Sequence, residues 1–363
     1  MSLKVGLIGL PNVGKSTIFN ALTKSFVPSD NFPFCTIEPN HGIVNINDPR
    51  LDTISDKIST EKIVPATIEF VDIAGIVQGA SKGDGLGNKF LSHIRNVDAI
   101  AHVVRCFDSD DITHVDGSLD PIRDIETIKL ELTLKDIETL EKRIAKAEKS
   151  AKGRDRDAEK ELELLNRVYT ELSESSSIPG DLSDSERSIL KSFSLLSSKP
   201  MMYVANIDEG SITSGNPYLS TLESQASNEG APVIHLCGSI EMEIAGLEQD
   251  ERIMFMEEYG IKETGLDRLA MSAYKLLGLE TFFTAGPQEI RAWTIPQMTR
   301  ADDAAGTIHT DFKKGFIKAE IYSISSLVEL GSEKEIKNAG KMRLEGKDYI
   351  VNDGDVIFFR VDA

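Results

Sequence analysis

Gly9-Leu10-Pro11-Asn12-Val13-Gly14-Lys15-Ser16 is the stretch that decides how the rest of this chain is read. An apolar run from Leu3 to Gly9 leads into it, and Ser16-Thr17-Ile18-Phe19-Asn20-Ala21-Leu22 leads out. That order is strand, phosphate-binding loop, helix. Gly9 and Gly14 let the backbone turn so that successive N–H groups point at the β- and γ-phosphates of a nucleotide. The helix that begins after Gly14 presents its positive end to the same anion. Lys15 adds a point charge for the β/γ oxygens, and the Ser16 hydroxyl suits Mg2+.

Outward from the loop, further buried-strand candidates are Thr67 to Asp72, Ala99 to Cys106, Pro200 to Asn206 and Pro232 to Cys237. Apolar runs separated by helical stretches predict a parallel α/β sheet with helices on both faces. One gap is too long for an ordinary crossover. Within it, Ile125 to Lys152 carries Ile125, Ile128, Leu132, Ile137, Leu140 and Ile144 among charges, and a second helical run covers Ala158 to Ser173. Two long helices about a polar hinge predict an inserted antiparallel hairpin. It reads equally as a solvated amphipathic arm or as a partner surface. After Leu277-Gly278 the composition shifts to short β-like runs, Glu289 to Ile295, Phe316 to Ile324 and Val356 to Val361, which predict a small α+β module.

The whole-chain properties bound the function. A length of 363 residues exceeds one compact core and suggests two or three domains. The formal net charge of −19 argues against coating nucleic acid by bulk attraction, so an RNA partner must be met by a local patch. Cys35, Cys106 and Cys237 lie far apart with no CxxC pair, against a disulfide framework or thiolate zinc site and in keeping with a reducing compartment. No apolar run is long enough for a bilayer, and the N-terminus goes straight into a strand rather than a signal or transit peptide. A cytoplasmic protein that meets no membrane is the expectation.

Two motifs fall where a nucleotide switch needs them. Asp72-Ile73-Ala74-Gly75 closes a strand, offering Asp72 to the Mg2+ shell and the Gly75 N–H to the γ-phosphate. Thr36 lies in the polar stretch where a switch threonine would reach the same ion. Two departures matter more. Ile76 stands where small GTPase switches carry a glutamine that orients the attacking water, and an isoleucine neither donates nor accepts. Asn206-Ile207-Asp208-Glu209 stands in place of the base-reading NKxD. Glu209 is one methylene longer than the aspartate that accepts from guanine, and Ile207 replaces the lysine that lies over the base. Asn206 keeps an approach to any purine. Losing the guanine-specific bonds removes that bias, so adenine is expected to be tolerated or preferred.

LIGLPNVGKST, NFPFCTIEPN, FVDIAGIVQGASKGDGLGNKFLSHIR, NIDE, FTAGPQEIRAWTIP, AGTIHTDFKKGFIKAEI and GKDYIVNDGDVIFF together resemble the YchF/Obg-like ATPase family across nearly the whole chain. The resemblance implies an α/β fold: a P-loop G domain of the Obg type over residues 1–124 and 199–277, an inserted helical (coiled-coil) domain over 125–198, and a β-grasp TGS domain over 278–363. It implies an ATPase that prefers ATP to GTP, associates with the ribosome, and regulates translation and redox or stress responses; a monomer that uses Mg2+ is the expectation. Carried over residue by residue, nucleotide contacts fall on Asn12, Val13, Gly14, Lys15, Ser16 and Thr17. Base contacts fall on Asn206 and Ile207, and Mg2+ ligands on Ser16 and Thr36. Cys237-Gly238-Ser239 takes the place of the fifth G motif but departs from its usual wording, which leaves the Ser239 contact weaker.

With no glutamine after Gly75, the resemblance puts water activation on His114, in a loop histidine position, where an imidazole near neutral pKa can orient or deprotonate water. Asn12 matches the residue that helps related G proteins hold K+, a second expected cofactor. In the C-terminal module, Lys313, Lys314 and Lys318 around Phe312 and Phe316 suit contact with tRNA or rRNA, or a solvated strand face. Two other functions stay open at this level: a GTP-specific switch, and a nucleotide-gated RNA or ribosome adaptor with incidental turnover.

Overall fold

The strand that precedes the phosphate loop forms the middle of a sheet. A computed structural model describes residues 3–24, 40–73, 85–109, 117–151 and 156–362. Its strands, in chain order, are β1 (Lys4–Ile8), β2 (His41–Asn45), β3 (Ile63–Val64), β4 (Thr67–Asp72), β5 (Ala99–Arg105) and β6 (Met201–Asn206). They continue with β7 (Val233–Leu236), β8 (Leu279–Ala285), β9 (Ile290–Pro296), β10 (Phe316–Ser323), β11 (Arg343–Glu345) and β12 (Asp355–Val361).

The first sheet has the order β2-β4-β1-β5-β6-β7. β1 pairs in parallel with β4, Leu7 beside Asp72, and with β5, Ile8 beside His102. β5 and β6, and β6 and β7, are parallel as well. Every residue of β5 is buried, as expected of a strand covered on both faces. The expected strands at Thr67, Ala99, Pro200 and Pro232 are all present, within a residue or two of their ends. Because β4 and β5 flank β1, the chain reverses its order there, and the crevice beyond the carboxyl ends is the natural ligand position. The phosphate loop, Asp72, Asn206 and Cys237 all leave the sheet at that edge.

The insertion forms helices Pro121–Ala151 and Arg156–Ser175. The long helix serves two cores. Ile125 packs with Val104, Cys106, Tyr203 and Ala205 of the sheet region, whereas Leu140 and Ala147 pack with Leu164, Leu165, Val168 and Leu172 of the second helix. Asp136 sits between those zones, fully buried. It accepts bonds from Leu196 N at 2.9 Å, Ser197 N at 2.8 Å and Ser197 Oγ at 2.6 Å. Burial pushes its carboxyl up, and these three bonds oppose that. The hairpin base is thereby tied to the segment that returns to β6.

The chain divides into two units, Met1–Gly42 with Glu69–Leu266, and Ile43–Ile68 with Asp267–Ala363. The second unit has a sheet of order β11-β10-β12-β8-β9-β3. β8 and β9 form an antiparallel hairpin, β12 lies parallel beside β8, and β10 runs antiparallel to β12. Helix Ala301–Ile308 lays Ala301, Ala304 and Ala305 on Phe282, Ile295, Ile321 and Ile357. Small residues let the helix approach closely, and the result is the β-grasp arrangement. The runs expected at Glu289, Phe316 and Val356 are β9, β10 and β12; β8 was not anticipated. Ile43–Ile68 packs in this unit, although it lies within the 1–124 stretch of the chain. Its β3 pairs with β9, and Arg50 bonds Asp48 and Asp353 while lying 5.1 Å over the Phe283 ring.

No helix among the described residues is long and apolar enough to cross a membrane.

Candidate nucleotide-binding site

The phosphate loop is held from below by the sheet and from the side by an asparagine. A Cβ on Gly9 would fall 2.7 Å from the Val103 carbonyl oxygen, so the loop rests directly on β5. Gly14 has φ of 90°, and a Cβ there would meet Asn206 Nδ2 at 2.1 Å. Both the backbone conformation and the space therefore demand glycine. Asn12 takes φ of 63°, a left-handed conformation that asparagine tolerates better than most residues. Helix Lys15–Lys24 then begins, with Ile18 N–H bonded to the Gly14 carbonyl at 3.0 Å.

Lys15 is buried and forms an ion pair with Asp72 at the end of β4. Neighbouring parallel strands bring these groups together across 57 residues of sequence. Ser16 is exposed and Thr17 half-buried on the first helical turn, while Val13 is buried beneath the loop. The Ser16 hydroxyl and the Asp72 carboxylate are hard oxygen donors. That set fits Mg2+, which takes few protein oxygens and shares the rest with water and phosphate. No group of three or more His, Cys, Asp or Glu side chains capable of holding a metal occurs among the described residues.

Asn206, at the end of β6, is 5% exposed. Its Nδ2 donates to the Val13 carbonyl at 2.9 Å, and its Oδ1 accepts from Gly238 N at 3.0 Å. One side chain thus braces the phosphate loop against the start of helix Gly238–Ile244. Ile207, where the resemblance puts a base contact, is 2% exposed, and its side chain packs with Cys237 and Ile240. Ser239 is exposed, its hydroxyl 3.2 Å from the Cys237 sulfur. Asp208 accepts from Ser211 N at 2.8 Å, and Glu209 accepts from the Tyr259 hydroxyl at 3.0 Å. Sequence reasoning missed Tyr259. It lies 50 residues from its partner, and no local pattern marks it.

Thr36, Gly75, Ile76 and His114 lie outside the described residues. Lys15, Ser16 and Asp72 meet at one strand edge with Asn206 and Gly238 beside them. In the C-terminal cluster, Phe312 and Phe316 are half-buried and pack against the core of the second unit. Lys313 is paired with Asp303, and Lys314 lies 3.7 Å from Asp311.

Residues 4–147 match the family described as 50S ribosome-binding GTPase, and residues 279–362 match the YchF C-terminal family, described as a protein of unknown function. The chain is 51% identical to the ribosome-binding ATPase YchF of Pasteurella multocida over 364 residues, covering 100% of both chains. Against the protein of that name from Bacillus subtilis it is 52% identical over 366 residues, again covering 100% of both. The structure of the Schizosaccharomyces pombe YchF GTPase superposes with a TM-score of 0.89 at 36% identity, covering 99% of this chain and 98% of that one. A GTP-binding protein from Pyrococcus horikoshii, 20% identical with a TM-score of 0.62 over 99% and 100% of the two chains, shares the fold.

Proposed function

From the premise that this chain belongs to the YchF family of ribosome-binding ATPases, we propose that it is a slow Mg2+-dependent ATPase that selects ATP over GTP and acts at the ribosome. The observation that carries the nucleotide preference is the state of Asn206-Ile207-Asp208-Glu209. A guanine site needs a free carboxylate at the fourth position, but Glu209 is bonded to Tyr259 and Asp208 closes a turn on Ser211. Ile207 is drawn into the core rather than laid along a base. Nothing in that segment favours the guanine N1–H and amine, so the bonds that give guanine sites their selectivity are lost.

In this reading the backbone of Asn12 to Thr17 cradles the phosphates, and Lys15 exchanges Asp72 for the β/γ oxygens. Ser16, Asp72 and Thr36 hold Mg2+, which when bound neutralises charge on the transferring phosphoryl group. The Gly75 N–H meets the γ-phosphate, and His114 orients water in place of the glutamine that Ile76 supplants. K+ beside Asn12 is the further expected cofactor, and Ser239 borders the base. The protein is a cytoplasmic monomer with three functional parts, residues 1–124 with 199–277, 125–198, and 278–363, with Ile43–Ile68 of the first packing in the same compact unit as the last.

Contact with tRNA or rRNA through the hairpin and the C-terminal part belongs to the same proposal. Phe358, 52% exposed beneath the Arg360 guanidinium at 4.4 Å, offers the stacking surface that Phe312 and Phe316 do not. Lys318 lies directly opposite Arg360 on β10. A redox-linked role gains no support from Cys106 and Cys237, which are both buried. Burial pushes the Cys106 thiol up to about 12, far from a reactive thiolate.

The test is equilibrium binding of a fluorescent ATP analogue in Mg2+, competed with unlabelled ATP and GTP. ATP competing better than GTP supports the reading. GTP winning by orders of magnitude would overturn it and leave a GTP-specific switch of the same fold.

A further inference from the structure

Glu209 is exposed, yet it is held at a definite place by a residue from a distant helix. Helix Gln249–Glu258 runs into Tyr259, whose hydroxyl donates to Glu209 Oε1 at 3.0 Å. Tyr259 is itself positioned by stacking on Phe255, with ring centroids 4.6 Å apart and an interplanar angle of 23°. Phe255, Met256 and Tyr259 pack against the core cluster that contains Ile207, Cys237 and Ile240. The Tyr259 ring is therefore fixed by apolar packing on one side, and only its hydroxyl end faces Glu209. The bond to the carboxylate raises the phenol's pKa, with Glu243 and Glu258 adding to that shift, so the hydroxyl remains a donor at neutral pH.

We propose that Tyr259 is a specificity-determining positioning residue: by holding the Glu209 carboxylate it keeps that group from accepting the N1–H and amine of guanine. The inference rests on the ATP-selective reading above and deepens it. Loss of guanine recognition is then more than the extra methylene of glutamate. A glutamate is flexible enough to swing toward a base, and a carboxylate that reached it would accept from guanine and repel the N1 lone pair of adenine. An anchored carboxylate does neither. The cost of releasing it is one hydrogen bond to a charged group, which is of the order that separates one nucleobase from another.

The experiment measures Kd for ATP and GTP on the full-length protein and on the variants Tyr259→Phe, Glu209→Ala and the double variant. Tyr259→Phe keeps the ring stacked on Phe255 and removes only the hydroxyl. The expected result is a shift of the ATP/GTP affinity ratio toward GTP by about tenfold, the size of one charge-assisted bond. The shift should vanish in the double variant, because without the Glu209 carboxylate there is nothing to release. Tyr169→Phe, which removes a hydroxyl bonded to Glu141 in the hairpin, should leave the ratio where it is. A Tyr259→Phe ratio equal to that of the unmodified protein, or an equal shift in the absence of Glu209, overturns the proposal. A GTP preference in the unmodified protein would instead overturn the underlying ATP-selective reading, so the two failures are distinguishable.

Discussion

Asn206 and Val13, 193 residues apart in sequence, are joined by a buried hydrogen bond of 2.9 Å from the side-chain amide to the loop carbonyl. The other end of the same amide accepts from Gly238. The residue that the sequence offers as a base reader is therefore also a strut that fixes the shape of the phosphate loop. Replacing Asn206 with alanine leaves the Val13 carbonyl and the Gly238 N–H buried without that partner. The expected loss is about 1–3 kcal/mol of stability, read as a lower urea midpoint at constant slope. ATP and GTP affinities should fall together, because the defect lies in the loop common to both. Gly14→Ala is expected to disrupt the same strut from the opposite side, its new methyl colliding with Asn206 Nδ2.

Arg50 holds Ile43–Ile68 to the rest of its unit. Its guanidinium bonds Asp48 at 2.7 Å and Asp353 at 2.7 Å, and Asp353 in turn accepts from Thr281 N at 2.9 Å. Lysine cannot span two carboxylates as a planar fork does. Arg50→Lys should thus be nearly as harmful as Arg50→Ala, each by about 1–2 kcal/mol for a network one-third open to water. Trp293 is the sole tryptophan of the chain and lies on β9 of this unit. Its fluorescence gives the unfolding curve, and a lysine variant as stable as the parent would refute the bidentate role.

His102 on β5 is 1% exposed, and its Nδ1 has no hydrogen-bond partner. Burial pushes its pKa down to about 3, and Lys129 adds to the effect. Between pH 6.5 and 3 the unfolded chain binds a proton that the folded chain refuses. Stability is therefore complete above about 6.5 and falls as the pH drops toward 3, by about 1.4 kcal/mol per unit at most. At pH 5 the loss from this group reaches about 2 kcal/mol. His102→Gln should flatten the slope of stability between pH 7 and 5, whatever it does to stability at pH 7. Chemical denaturation at both pH values checks this, and an unchanged slope would assign the acid sensitivity elsewhere.

His114→Ala is expected to lower kcat about a hundredfold while ATP affinity stays close to that of the parent. Single-turnover hydrolysis with a parallel binding titration separates the two. An unaltered kcat removes His114 from the reaction and returns the question of what replaces the glutamine displaced by Ile76.

Local chemistry wrote several of these features plainly into the sequence. The phosphate loop was legible because glycine spacing, lysine and hydroxyl must be contiguous to wrap one anion. The sheet was legible because parallel strands buried on both faces need unbroken apolar runs, and the hairpin because its apolar residues recur with the helical period. The departures at Ile76 and Glu209 were also visible, since a missing donor or acceptor is a property of the residue itself.

Tertiary structure alone decided the rest. Lys15 meets Asp72, and Asn206 meets Val13, because strands distant in sequence are neighbours in the sheet. Ile43–Ile68 joins the C-terminal unit through β3 pairing and the Arg50 bonds, which leave no periodic trace in its own residues. Phe312 and Phe316 read equally as an RNA-contacting face or as part of a strand with a solvated side, and they pack half-buried on the β-grasp core. Tyr259 meets Glu209 only because its helix packs beside that segment. Sequence fixes what a residue can donate, accept or bury, whereas the partner that it finds is set by which distant backbone the core brings within 3 Å.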